Sequence, residues 1–267
     1  MRLKWYGTAA ILLEQDGTKL LFDPFLSLNE KCFIPPEDEF SAVEELASAD
    51  TILVTHGHLD HIASIPAILK QGDGTATVYC TAKPREVLVS KGVDEARIRQ
   101  IKPGDRLGFG PFEVHVLKGK HIVFNMGLVL KTIFRALIIT NRNNLRYILK
   151  ENRICVEAGE TVAYEICTAN KRILLLGSLN LDDNTEYPEG ADLLILPFQG
   201  RSGIGKYAMP FMDRLEPKKV LLDHFDDTFP PISSNVKTSP FISLMRRKYP
   251  GIPVICPEAC AEWINIG

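Results

Sequence analysis

The heptapeptide THGHLDH, residues 55–61, contains three of the six histidines of this 267-residue chain. It directly follows an apolar run that is typical of a buried strand. His56 and His58 are two residues apart, so an extended backbone points both rings to the same side. Asp60 and His61 follow where the chain turns into a predicted helix, and they can face the same point. Because imidazole and carboxylate groups are common ligands of zinc and similar metals, this stretch predicts half of a metal site.

A metal site needs further ligands, and two other histidines follow predicted strands far along the chain. His121 ends the segment FEVHVLKGKH, and His224 lies in VLLDHFDD. Strand ends hold side chains rigidly, which favours both residues as ligands. His115 lies inside the alternating strand FEVHVL and could compete with His121 as the third ligand. Its place within the strand favours a packed or surface role instead.

Short strands and helices alternate along most of the chain. The segment ILLEQDGTKLLF, for example, predicts a hairpin whose turn is formed by Asp16 and Gly17. The interleaving indicates an α/β fold or an α+β fold with layered helices. Because no repeat and no low-complexity linker divides the sequence, we expect a single domain over residues 1–267.

The motif H-x-H-x-D-H, the distant histidines and the strand LLFDP together resemble the metallo-β-lactamase superfamily. The resemblance covers essentially the whole chain. It implies an α+β fold with four layers, an αββα sandwich. The segments KPGDRLGFGPFEVHVLKGKH and LEPKKVLLDH look most like the branch of ascorbate-6-phosphate lactonases and N-acylphosphatidylethanolamine phospholipase D-like hydrolases.

This resemblance implies two neighbouring metal sites with one or two divalent ions. Zinc is the expected metal, with manganese and iron as alternatives. A water acidified by the ion and oriented by Asp60 would attack an ester, lactone or phosphodiester. The motif has a histidine where the redox di-iron branch typically has a glutamate, which favours hydrolysis over electron transfer. The implied residues are His56, His58 and His121 in the first site, Asp60, His61 and His224 in the second, and Asp23 beneath the metals.

One position departs from the family pattern. The family has an aspartate that bridges the two metals after a mid-chain strand, and the matching position in KRILLLGSLN is Ser178. A neutral hydroxyl is a poor metal ligand, so we expect a weak second site or only one firmly held ion. Asp182 or Asp183 would replace the missing carboxylate if the loop shifted. The alternative interpretation is a metal-binding protein with weakened or no hydrolase activity.

Two segments suggest contact with an anion. From Val114 to Lys150 the chain carries seven basic residues and no acidic one, and about 122–152 resembles a helical insertion. It would serve as a lid over an anionic small-molecule substrate, as a contact with a membrane surface or another subunit, or as an amphipathic helix packed on the domain. The glycine-rich FQGRSGIGK, residues 198–206, is either a plain turn or an anion site that uses Arg201 and Lys206.

The net charge, the cysteines and the apolar runs of the chain indicate its partners and its location. A formal net charge of -2 gives no reason to expect nucleic acid as a partner, and a homo-oligomer is left open. The six cysteines are scattered without a CxxC pair, and the first residues lack the pattern of a signal peptide, so we expect reduced thiols and a cytoplasmic location. No uninterrupted apolar run is long enough to span a bilayer.

Overall fold

The computed structural model describes residues 1–26, 42–125, 127, 142–230 and 232–266. Within these ranges the chain forms two sheets of seven strands each, with helices on their outer faces. The strands are β1 (Arg2–Trp5), β2 (Ile11–Gln15), β3 (Thr18–Phe22), β4 (Thr51–Leu53), β5 (Thr77–Cys80), β6 (Ile98–Gln100), β7 (Arg106–Phe109), β8 (Phe112–Lys118), β9 (Val162–Cys167), β10 (Arg172–Leu175), β11 (Leu193–Pro197), β12 (Val220–Asp223), β13 (Val254–Ile255) and β14 (Ile264–Asn265). The α-helices are α1 (Ala42–Ala47), α2 (Leu59–Ile62), α3 (Ile65–Gln71), α4 (Ala82–Ser90), α5 (Arg142–Glu151), α6 (Ile204–Leu215) and α7 (Ser239–Lys248), and a 3-10 turn covers Glu95–Arg97.

The first sheet has the strand order β14-β1-β2-β3-β4-β5-β6. Strands β14 to β3 pair antiparallel, whereas β3 to β6 pair parallel. The turn between β2 and β3 consists of Asp16 and Gly17, whose φ angles are 51° and 80°. Two positive φ angles are what a type I′ hairpin turn requires, so the predicted hairpin is confirmed.

The second sheet has the order β13-β12-β11-β10-β9-β8-β7. Its first four strands pair parallel and its last four antiparallel. The residues that follow β3 and β4 in the first sheet meet those that follow β8, β10 and β12 in the second. The metal-site candidates therefore come together at one edge of the sandwich.

Apolar contacts hold four layers together. Side chains from both sheets meet in the middle, among them Trp5, Phe22 and Tyr164. The outer face of the first sheet packs against α1 to α4, and the outer face of the second sheet packs against α6 and α7. Removal of this apolar surface from water is the main stabilising contribution to such a fold. The layering confirms the predicted αββα sandwich.

Some elements differ from their prediction. The helix expected after His61 is split into α2 and α3, because the Ser64 N–H donates to the Pro24 carbonyl and its Oγ accepts from the Leu26 N–H. The chain before His121 forms three strands, of which β6 belongs to the first sheet whereas β7 and β8 belong to the second. Periodicity within one segment does not reveal which sheet each strand joins.

The expected insertion at about 122–152 is described in part. Its last residues form α5, whereas residues 126 and 128–141 lie outside the described ranges. The prediction of a single domain is unaffected by these findings and stays a prediction.

The expectation that all cysteines are reduced thiols is wrong for one of them. Cys80, Cys155, Cys167 and Cys256 are free thiols, but Cys260 is disulfide-bonded. Spacing along the chain does not show which cysteines meet after folding. Among the described helices, none has both the length and the apolar character that crossing a bilayer requires.

Candidate metal centre

Three histidines form the first cluster of potential ligands. One ring nitrogen from each of His56, His58 and His121 lies within 4.8 Å of the others. His56 and His58 are adjacent, with 3.1 Å between His56 Nε2 and His58 Nδ1. His121 places its Nδ1 2.9 Å from the Ile122 carbonyl oxygen, so an Nδ1–H donated there leaves Nε2 as the ligand atom.

Burial keeps these three rings neutral. It lowers the pKa of His56 well below its ordinary value, with further lowering from the neighbouring rings. It lowers the pKa of His58 to about 4 and also lowers the pKa of His121. Because a neutral imidazole has a lone pair to offer, the cluster is in the form that binds a metal near pH 7.

Asp60, His61 and His224 form the second cluster, again with ligand atoms within 4.8 Å of one another. His224 Nε2 lies 3.2 Å from Asp60 Oδ2. Burial alone would raise the pKa of Asp60, but the hydrogen bond from His224 and the neighbouring imidazole of His61 hold that pKa below its ordinary value. The carboxylate therefore stays ionised, which makes Asp60 an anionic ligand.

Asp23 lies beneath the second cluster and is 1 % exposed. Its carboxylate accepts hydrogen bonds from the Thr55 N–H at 2.7 Å and the Thr55 hydroxyl at 2.6 Å. It also lies 2.9 Å from His61 Nδ1. A carboxylate at Nδ1 fixes the tautomer of a histidine and leaves Nε2 for a metal, so Asp23 orients His61 as the resemblance implies.

Ser178 lines the same cavity as the two clusters and is 7 % exposed. Its Oγ accepts a hydrogen bond from the Ile122 N–H at 3.0 Å, which ties it to the residue after His121. Among the described residues that line the cavity, Asp60 is the one carboxylate. Ser178, at the position where the family has a bridging aspartate, therefore lies beside both clusters and offers a neutral hydroxyl instead of a carboxylate.

The loop that follows does not bring a second carboxylate to the centre. Asp182 lies 3.1 Å from Lys118, and Asp183 lies 2.7 Å from Lys120. Asp182 also accepts hydrogen bonds from Asn184 and Thr185. The expected replacement of the missing bridge by either aspartate is not found, because both side chains are paired with lysines away from the cavity.

The contacts that hold His224 in place could not be predicted from the sequence. His224 has a φ of 55°, a conformation that residues other than glycine rarely adopt. Its N–H donates to the Thr8 carbonyl oxygen at 2.7 Å, which also accepts from Trp5 Nε1 at 2.9 Å. The Thr8 N–H in turn donates to the Asp226 carboxylate. The β1–β2 loop therefore holds His224 in its strained position.

His115 lies apart from both clusters. Its Nδ1 and Nε2 each lie 2.8 Å from a carboxylate, that of Glu165 and that of Glu113. Both carboxylates stand on the surface of the second sheet, on β9 and β8. The structure therefore places His121, and not His115, beside His56 and His58.

The two clusters open into one cavity of about 270 Å³. Beyond the candidate ligands its described lining is largely apolar, with Ile122, Phe124, Leu179, Pro197 and Phe229. Gln199 and Ser233 add polar groups, and no lysine or arginine is among the described lining residues. Arg201 and Lys206, the candidates for an anion site, line a different cavity.

The donor sets fit divalent ions. Three imidazoles on one side, and two imidazoles with a carboxylate on the other, are combinations that zinc accepts, and manganese and iron bind the same donor types. The ligands also come from both sheets, since His121 and His224 follow strands of the second sheet. An ion at either cluster would link the two halves of the sandwich.

Comparison with known proteins agrees with this geometry. A family model described as beta-lactamase superfamily domain matches residues 18–225. A UPF0173 metal-dependent hydrolase of Ligilactobacillus salivarius is 27% identical over 237 residues, which cover 88% of this chain and 90% of that protein. A UPF0173 protein of Pyrococcus furiosus is 33% identical over 125 residues, 45% of this chain. In that match, and in one with a Carboxydothermus hydrogenoformans relative, the chain spans about half of the relative's length.

Solved structures share the fold. Igni18, a metallo hydrolase from Ignicoccus hospitalis, aligns with a TM-score of 0.62 at 16% identity, covering 98% of this chain and 97% of that one. Zinc-bound PqqB from Methylobacterium extorquens aligns with a TM-score of 0.59 at 14% identity, covering 99% of this chain and 100% of that one. At such low sequence identities, these comparisons show a shared fold alone.

Proposed function

Because the chain belongs to the beta-lactamase superfamily, whose domain model matches residues 18–225, we propose that it is a metal-dependent hydrolase. The observation that carries this proposal is the placement of two three-donor clusters side by side in one cavity. Relatives named metal-dependent hydrolases support it.

Each part of the centre has a role in this proposal. His56, His58 and His121 would hold one ion, and Asp60, His61 and His224 would hold another. Divalent ions in such sites lower the pKa of water and polarise a carbonyl or phosphoryl oxygen. The ionised Asp60 is placed to accept a hydrogen bond from an attacking water, and Asp23 keeps His61 in its binding orientation.

We propose zinc as the metal, with manganese and iron as alternatives, and a weaker second site. Among the six donor residues only Asp60 is anionic, and Ser178 is neutral, so two divalent charges are poorly balanced by the described residues. The zinc bound to PqqB of Methylobacterium extorquens, which shares the fold, supports the choice of metal.

The proposed substrate is a small ester, lactone or phosphodiester. The apolar side chains around the clusters favour a substrate whose group beside the reacting bond is uncharged. An anionic substrate remains a prediction based on the basic segment. Of its lysines, Lys118 and Lys120 are already paired with Asp182 and Asp183.

A matched pair of histidine variants tests the proposal. The protein would be purified without chelator, and its metal content and its hydrolysis of p-nitrophenyl acetate, a δ-lactone and bis-p-nitrophenyl phosphate would be measured. We expect His56→Ala to lower both metal content and turnover, the latter by at least about 100-fold. His115→Gln removes a histidine outside both clusters and should leave both near the wild-type level. Equal turnover in the two variants would contradict the proposal.

A second candidate function, metal binding with little or no hydrolysis, is favoured by Ser178 alone. The variant Ser178→Asp distinguishes the two, because a carboxylate there would add an anionic donor to the cavity. Higher metal content together with higher turnover in Ser178→Asp would identify a weakened hydrolase. If wild type and variant both bind metal and neither cleaves any ester, lactone or phosphodiester, the binding function is favoured.

A further inference from the structure

A second cavity, of about 610 Å³, lies between the start of α6 and helix α7. Its floor includes the apolar side chains of Ile204, Val236 and Leu244. Four basic residues stand around it: Arg201, Lys206, Lys237 and Arg247. No aspartate or glutamate belongs to its described lining. It is therefore an apolar hollow with a positive rim, which we call the basic-rimmed cavity.

The charges of the rim are not neutralised by neighbouring acids. Within the described part of the chain, none of the four basic side chains forms an ion pair with a carboxylate within 4.0 Å. On the same helix α7, by contrast, Lys248 pairs with Asp213 at 2.5 Å. Four like charges around one concavity attract an anion more strongly than the same charges dispersed on a convex surface, since the apolar walls focus the field.

Arg201 is held in place at the rim. Its guanidinium donates to the Val123 carbonyl oxygen at 3.3 Å, and its Cζ lies 4.4 Å from the centre of the Tyr207 ring. Arg247, on α7, lines the same cavity. A guanidinium that is already positioned loses less side-chain entropy when it binds a phosphate, and its planar donors suit phosphate oxygens.

This cavity is separate from the metal centre. Gln199 and Gly200 line the metal cavity, and the next residues, from Arg201 onward, line the basic-rimmed cavity. The turn at 199–203 therefore forms the wall between them. A ligand of the second cavity would contact neither the histidine clusters nor Asp60.

We propose that the basic-rimmed cavity binds a small phosphate monoester that carries an apolar body. The four cations suit the roughly two negative charges of a phosphate monoester near pH 7. The apolar floor would remove the body of the ligand from water, and the volume is in the range of small-molecule sites. The proposal stands independently of the hydrolase function.

The probe is octyl phosphate, used below the concentration at which it forms micelles. Inorganic phosphate and octanol, which represent its charged and its apolar part, are the comparison ligands. Binding to the full-length, metal-containing protein would be followed by calorimetry and by amide chemical shifts. We expect octyl phosphate to bind at least about tenfold more tightly than inorganic phosphate, and octanol to bind more weakly still. The shifts should centre on residues 203–206 and 236–247.

Charge variants locate the site. Lys206→Gln combined with Arg247→Gln should lower the affinity for octyl phosphate by about tenfold, since two charge-assisted contacts are lost. Arg246→Gln, an equally exposed neighbour outside the lining, is the matched control and should leave the affinity unchanged. Both altered residues are exposed, so the fold should persist, which near-identical unfolding temperatures would verify.

Three outcomes would overturn the proposal. The first is an affinity that the double variant leaves unchanged, and the second is a set of shifts confined to residues of the metal cavity. The third is binding only to vesicles that contain phosphatidic acid, lost in the double variant, without binding of monomeric octyl phosphate. That result would assign the rim to a membrane surface instead of a small ligand.

Discussion

Asp23 accepts two hydrogen bonds from Thr55 and faces Nδ1 of His61. A buried carboxylate in this position determines both the tautomer and the direction of the ligand ring, which is why mutating a residue behind a metal ligand typically lowers metal affinity about 10- to 100-fold. The resemblance of LLFDP to the family's strand implied this position for Asp23. Its partner Thr55 lies inside the opening motif, yet its role became visible only in three dimensions.

The variant Asp23→Asn should weaken metal binding at the second cluster. An amide has one oxygen in place of two and turns an NH₂ group toward donors, so it cannot accept all the bonds of the carboxylate. We expect the affinity for zinc at the weaker site to fall about 10- to 100-fold, measured by competition with a chelator. Asp183→Asn, at an exposed aspartate paired with Lys120, serves as the control and should have no effect.

His115 predicts a pH dependence of stability that is independent of the metal centre. The hydrogen bond to Glu113, with a second to Glu165, raises the pKa of His115 although partial burial opposes the shift. Arg106 and Arg172 also face this cluster, Arg106 beside Glu113 and Arg172 beside Glu165. A raised folded-state pKa means that the contribution is fully present below the unfolded value of about 6.5 and is lost as the pH rises through the folded value.

The free energy of unfolding of wild type and His115→Gln, measured by urea titration between about pH 5.5 and 8.5, tests this sign. The wild type should be the more stable protein at the acidic end. The advantage should shrink as the pH rises. A gap that widens with pH would show that His115 is stabilised in its neutral form.

At the scale of elements, the metal centre depends on how closely β4 and β10 approach after their last residues. Gly177 precedes Ser178, and a Cβ there would lie 2.4 Å from the Val162 carbonyl oxygen and 2.5 Å from Thr55 Cβ. No side chain fits between these groups without a shift of the backbone. The glycine therefore permits both the strand packing and the position of Ser178.

Gly177→Ala should destabilise the protein by about 1–3 kcal/mol, because the added methyl group overpacks a rigid backbone contact. It should also reduce metal content, since Thr55 and Ser178 would both be displaced. Gly108→Ala, on β7 with open space around its Cβ position, is the matched control and should change stability by less than about 0.5 kcal/mol. Similar unfolding temperatures for both variants would contradict the close packing at β10.

At the scale of the whole molecule, much of the fold was predictable. Apolar strands bounded by turn residues predicted an α/β fold or an α+β fold with layered helices, and the motif at 55–61 with the later strand ends predicted candidate ligands. The αββα sandwich and the division of six ligands between two sites were implied by the resemblance to the metallo-β-lactamase superfamily. The pairing of Asp182 and Asp183 with lysines was not predictable, because either aspartate could equally have faced the cavity. The hydrogen bond from the His224 N–H to the Thr8 carbonyl oxygen joins residues more than two hundred positions apart. The spacing of apolar residues along the chain does not predict such a contact.

The centre joins the two sheets, so a bound metal should stabilise the whole sandwich. A ligand that binds only the folded state adds about 2.7 kcal/mol at 100 times its Kd. For a chain of this size, chelation should therefore lower the unfolding temperature by roughly 5–10 °C, measured by differential scanning calorimetry. His56→Ala should respond less to the chelator than the wild type. A chelator effect of equal size in that variant would place the stabilising metal elsewhere.

The central claim is that the two donor clusters bind metal. It is tested most directly by a crystal structure of protein purified without chelator, with anomalous scattering recorded at the zinc, iron and manganese edges. We predict a strong peak about 2.0–2.2 Å from nitrogens of His56, His58 and His121, and a weaker peak or none beside Asp60, His61 and His224. Protein that retains metal in solution but shows no anomalous peak at either cluster would contradict the account.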